Sequence, residues 1–203
     1  MFHETVTHAG GDTRGTASES HALMLMRRAL NRGYAMEATP EGGAVIRWTR
    51  IDLTTRAHAD RSILLVPELP VDGLDDSVRA LLDLIDLGDA TYDCHADRRV
   101  ITAAGTEIPP GDTARLRARH LVRVDRHNRV RLTMSARLGL LAHGHRQAGG
   151  KTDGFAMCSC GLTTHAPDGQ TADAKLRGHR QTMTARFIDS ISATYAAALT
   201  ASR

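Results

Sequence analysis

The chain has 203 residues, 41% of them apolar, 24% charged and seven aromatic, with 26 Lys plus Arg against 23 Asp plus Glu and a formal net charge of +3. That supplies one or two small cores built from Leu, Val, Ile, Met and Ala, and predicts a soluble globular chain. No apolar run approaches the length of a membrane-spanning helix and residues 1–15 lack the pattern of a secretion signal, so a bacterial, cytoplasmic setting with no membrane association is expected.

Residues 1–17, rich in Gly, Thr and His, show no periodicity and read as a disordered leader. Ser18 or Ser20 then caps a helix over Glu19–Arg32, with Leu23, Met26 and Leu30 on one face and Gly33 at its end. Three strands of a meander follow at Tyr34–Ala38, Ala44–Leu53 and Ser62–Val66. On the second, Ala44, Ile46, Trp48 and Arg50 share a face, which makes Trp48 a half-covered packing residue; its other use, beside Arg47 and Arg50, is to stack on a base or bind a partner. Pro67, Pro70 and Gly73 mark a domain boundary. Beyond it, Asp75 or Asp76 caps a helix over Ser77–Leu87 with an apolar stripe of Val78, Leu81, Leu82, Ile85 and Leu87, and Tyr92–Ala96 and Arg99–Ala103 flank Asp97 and Arg98 as a hairpin. Asp112–Leu121 reads as a short helix. Val122 and Val124 alternate with Arg123, and Val130 and Leu132 with Arg129 and Arg131, around the turn Asp125–Asn128: two strands with one apolar and one cationic face. Thr133 or Ser135 caps the next helix, which carries Leu138, Leu141 and Ala142.

The run LVRVDRHNRVRLT followed by MSARLGLL, after a short helix, resembles the winged-helix segments of bacterial proteins over roughly Asp75 to His145. The resemblance implies DNA binding and transcription regulation. One departure is that residues 87–112, with Gly88, Gly105, Pro109, Pro110 and Gly111, read as hairpin and loop where a helix-turn-helix has a packed helix. The candidate DNA contacts are Arg115 and Arg119 on one face of the short helix, Arg126 at the wing tip, and Arg129 and Arg131 along its outer face. Charge is segregated: residues 68–97 sum to −8 and residues 98–146 to +8. Such a division either steers a polyanion to the second segment or lets the two segments neutralise each other.

Cys158-Ser159-Cys160-Gly161, followed by His165 and by His179 on the next helix, offers thiolates and imidazoles suited to a structural Zn²⁺. A Cys knuckle before a helix carrying His resembles a degenerate zinc finger. Here one residue separates the cysteines, and Met183 stands where the second helix His of such fingers would be. The expected ligands are Cys158, Cys160, His165 and His179, with His143 or His145 also able to reach back across Gly149-Gly150. Two thiols beside an unrelated His, or a redox pair, are the other readings. Thr171–Thr200 is expected as one long helix with a stripe of Leu176, Met183, Phe187, Ile191, Tyr195 and Leu199, buried against the body or in a homodimer. There is no phosphate-binding loop or G-x-S-x-G, and a non-enzymatic protein is expected.

The sequence thus predicts an α+β fold in four parts: a disordered leader over 1–17, a helix plus β-meander over 18–68, a winged-helix-like domain over 69–147, and a Cys/His element with a long helix over 148–203. The expected function is a DNA-binding or DNA-associated regulatory protein. The other function carried is a protein–protein adaptor or dimerisation module with a structural zinc site and no nucleic-acid role.

Overall fold

The computed structural model describes residues 1–8, 11–51, 56, 58–68, 71, 74–94, 99–152 and 154–200, with only the backbone described at 8, 149–152 and 193–200. The fold is α+β. In chain order its elements are β1 (Phe2–His8), β2 (Gly11–Ala17), α1 (Glu19–Asn31), β3 (Ala35–Ala38), β4 (Ala44–Ile51), β5 (His58–Pro67), α2 (Asp76–Asp86), β6 (Thr91–Asp93), β7 (Val100–Ala103) and β8 (Thr106–Ile108). There follow α3 (Pro110–Ala118), β9 (Val122–Val124), β10 (Val130–Leu132), α4 (Met134–Gly144), β11 (Gln147–Thr152), β12 (Phe155–Cys158), β13 (Thr163–His165) and α5 (Gly169–Thr200).

The first sheet is antiparallel in the order β2-β1-β5-β4-β3. Its β3-β4-β5 part is the expected meander, although β5 begins at His58 and takes up part of what reads as a polar connection. The expected disordered leader is instead a hairpin, and β1 lies between β2 and β5. Phe2 explains why: it sits opposite both Ala17 and Pro67 and is 1% exposed, in one core with Met26, Met36, Ile46 and Leu65. The strand signal is weak because Thr5, Val6 and Thr7 extend the chain by β-branching rather than by an apolar period. Helix α1 covers this core with Ala22, Met26 and Ala29; Ser18 caps it by accepting from the His21 N–H at 3.2 Å.

The second core gathers α2, β6-β7-β8, α3, the β9–β10 hairpin and one face of α4, with Leu82, Ile101, Ile108, Leu116 and Leu121 fully buried. The cationic hairpin pairs as its alternation requires, Val122 opposite Leu132 and Val124 opposite Val130. Strand β8 falls where the sequence reads as loop. Ala104 and Gly105 both have positive φ (47° and 76°) and join β7 to β8 as a two-residue turn, a conformation that Ala rarely supplies and so does not advertise. The turn at Asp97 and Arg98 lies outside the described residues.

Helix α4 serves both cores: Ala136 packs into the second, Met134 and Leu138 into the first. The turn before β4 approaches it so closely that a Cβ on Gly42 (φ +81°) would strike the Ser135 carbonyl. Helix α5 closes the open edge of the first sheet. Thr184 on α5 is buried, and its hydroxyl accepts from the Ala38 N–H of edge strand β3 at 3.1 Å, while Arg180 meets Glu37 at 2.7 Å. Leu176 and Ile188 are buried, and Met183, Phe187 and Ile191 partly so; the side chains of Tyr195 and Leu199, the end of the expected stripe, lie outside the described residues. No helix among the described residues is long and apolar enough to cross a membrane.

Candidate metal centre

The third unit is the small sheet β11-β12-β13 laid on α5, with a core of only Ala156, Cys158, Ala172 and Leu176. Its β12–β13 connection is the Cys knuckle. The Gly161 N–H donates to the Cys158 carbonyl at 2.9 Å and the Cys158 N–H to the Leu162 carbonyl at 2.8 Å, and Gly161 takes a φ of +90° that favours glycine. Ser159, between the two cysteines, ties the knuckle to the end of α4: its N–H donates to the Arg146 carbonyl at 2.8 Å and its hydroxyl to that of His143 at 3.1 Å. His145 is the C-cap of α4, and its own N–H donates to the Leu141 carbonyl at 3.1 Å and, more weakly, to that of Ala142 at 3.3 Å.

Four donors meet at this junction. One ligand atom from each of His145, Cys158, Cys160 and His179 lies within 4.8 Å of all the others. His145 Nδ1 is 3.1 Å from His179 Nε2 and 3.8 Å from Cys158 Sγ, and His179 Nε2 is 3.4 Å from Cys160 Sγ. Cys158 is buried, the two His are half-buried and Cys160 is exposed. Burial first, then the neighbouring His179, lowers the pKa of His145, which favours the neutral ring that can ligate. Burial raises the Cys158 thiol. Two thiols and two imidazoles converging in this way share hydrogen bonds when protonated, and are compatible with a metal site when deprotonated.

Of the residues expected as ligands, Cys158, Cys160 and His179 come together and His165 does not. His165 pairs with Phe155 at the far end of β12, three residues or about 10 Å of strand from Cys158. There its ring packs on Phe155 at 5.2 Å. His145 takes its place because β11 pairs Gln147 with Cys158, which brings the end of α4 beside the knuckle. The Gly149-Gly150 stretch is thus part of a strand, irregular in register on both sides of Gly149. His143 is outside the cluster; burial, then Arg79 and Arg146, lower its pKa.

The expected DNA contacts divide. Arg115 is held at 2.9 Å by Asp75, the N-cap of α2, whose carboxyl is well below the usual range through hydrogen bonds from Ser77, Val78 and Arg115. Arg137 meets Asp86 at 3.1 Å, so the acidic and basic segments neutralise each other at two points. Arg117 lies over the Tyr92 ring at 4.7 Å, and Arg119 is the C-cap of α3. Arg126, Arg129 and Arg131 are exposed on the hairpin, where Asp125 fixes the turn by accepting from the backbone of His127 and Arg129. Arg131 lies opposite Arg123, which meets Glu19 of α1 at 3.3 Å.

No protein family matches this chain, and no curated protein and no solved structure matches it.

Proposed function

We propose that this is a non-enzymatic protein in which one structural Zn²⁺, held by His145, Cys158, Cys160 and His179, fastens the C-terminal unit to α4. The observation that carries this reading is the spacing of the four donors. Zn–S bonds of about 2.3 Å and Zn–N bonds of about 2.0–2.1 Å in a tetrahedron require an N–N edge of about 3.3 Å and N–S edges of about 3.5 Å. The distances here are 3.1 Å for N–N and 3.4 and 3.8 Å for N–S. Four protein ligands leave no open position for an activated water, which makes the role structural rather than catalytic. Native mass spectrometry of protein purified without chelator is expected to show one zinc per chain, lost in Cys160→Ser and in His145→Ala but kept in His165→Ala. A metal-free spectrum, with both thiols reacting freely in the folded protein, would overturn the reading.

For the partner, the exposed arginines of the β9–β10 hairpin favour duplex DNA. With Arg115 committed to Asp75 and Arg117 to Tyr92, the hairpin rather than α3 is the face offered to phosphates. In fluorescence-anisotropy titrations, log affinity should fall steeply with log salt, and Arg129→Ala with Arg131→Ala should flatten that slope by about two. Absence of binding at low salt would end the DNA reading and leave the adaptor with a structural zinc site.

A further inference from the structure

A cavity of about 510 Å³ opens between the C-terminal end of α1 and strands β4 and β5, and its lining shares no residue with the Cys/His cluster or the β9–β10 hairpin. Its size is within the roughly 300–1,000 Å³ of small-ligand sites. Two kinds of side chain dominate its wall. Tyr34 and Trp48 stack with centroids 5.1 Å apart and planes 9° from parallel. Beside them stand four guanidinium groups, those of Arg28, Arg32, Arg50 and Arg61.

Local structure explains the assembly. Antiparallel pairing sets Arg61 directly opposite Trp48, and Arg50 lies two residues along the same face of β4. Arg28 and Arg32 are one helical turn apart at the end of α1. Gly33, at φ +68°, reverses the chain there, and the Tyr34 N–H donates back to the Ala29 carbonyl at 3.0 Å, which brings Tyr34 to Trp48.

The charge of this cluster is unbalanced. Among the described residues no acidic residue lines the cavity and none of the four guanidiniums joins an ion pair, whereas Arg115, Arg123, Arg137 and Arg180 each meet a carboxylate. The Nε of Arg61 is buried with no hydrogen-bond partner. The C-terminal dipole of α1 offers about half a negative charge, too little to offset four cations. An anion would neutralise the cluster, and a flat ring carried by that anion would lie beside the aromatic pair.

We propose that this cavity binds a nucleoside phosphate, free or as a unit of single-stranded nucleic acid, its base extending the Tyr34–Trp48 stack and its phosphates held by Arg28, Arg32, Arg50 and Arg61. Duplex DNA does not fit, because its bases are already stacked and only their edges are accessible. The inference is independent of both the zinc reading and the duplex reading.

Trp48 is the only tryptophan, so its fluorescence reports on the cavity directly. The full chain, as purified, is titrated with thymidine diphosphate, thymidine, inorganic pyrophosphate and an oligothymidylate of about eight nucleotides. Saturable quenching is expected with the diphosphate and the oligonucleotide, with thymidine far weaker and pyrophosphate competing. Arg61→Gln and Arg28→Gln should each weaken binding about tenfold without lowering the melting temperature. Equal affinity for the two thymidylate ligands identifies a free nucleotide as the ligand, and an oligonucleotide bound more than about tenfold tighter identifies a single strand. No saturable response to any phosphorylated probe, or undiminished binding in Arg61→Gln, overturns the proposal.

Discussion

If the cluster holds zinc as proposed, stripping it from the folded protein with a strong chelator is expected to release backbone protection across residues 145–165 while β1–β5 and α2 stay protected. Full burial of Leu176, the largest side chain in the unit's core, contributes about 2 kcal/mol, and Ala156 and Ala172 less. Structural zinc in small finger peptides contributes about 10–16 kcal/mol in apparent binding free energy near neutral pH, because ligation and folding are one event. The larger quantity decides whether β11-β12-β13 stays ordered. The Ser159 bonds to the end of α4 should open with the metal, leaving the pairing of Gln147 with Cys158 to hold the knuckle beside His145. Hydrogen–deuterium exchange followed by mass spectrometry reads this segment by segment. Unchanged exchange over 145–165 after the metal has left would mean that the small core suffices alone.

Phe2→Ala is expected to destabilise the protein by about 3–5 kcal/mol, the usual cost of emptying a buried aromatic site. At this chain length that corresponds to a fall of roughly 10 °C in melting temperature. His3→Ala, one residue along on the exposed face of β1, should change stability by less than about 0.5 kcal/mol. Urea denaturation of the two variants checks the contrast. Equal, negligible effects would show that the first strand contributes nothing to the core.

Local patterns made much of this fold legible. The apolar stripes of α1 and α2, the caps to within one of two neighbouring residues each, the meander and the Val/Arg alternation of β9 and β10 all follow from spacing and backbone chemistry acting within a few residues. Three of the four clustered donor residues were legible for the same reason: Cys158 and Cys160 share one tight knuckle, and His179 is on the helix that follows. The fourth was settled by a contact no local pattern encodes. Whether His145 or His165 meets the thiols depends on the β11–β12 register, and that register is fixed only when α4, the small sheet and α5 pack together.

The N-terminal hairpin depended on tertiary structure in the same way, since Thr-rich strands gain their stability from the partner β5 and from the pocket that receives Phe2. The charge pattern shows the division most plainly. Composition along the chain determined that an acidic segment precedes a basic one, but Coulomb energy depends on distance in space. Only folding decided that Asp75 and Asp86 would neutralise Arg115 and Arg137, while Arg28, Arg32, Arg50 and Arg61, scattered over thirty-four residues of sequence, would gather around one cavity.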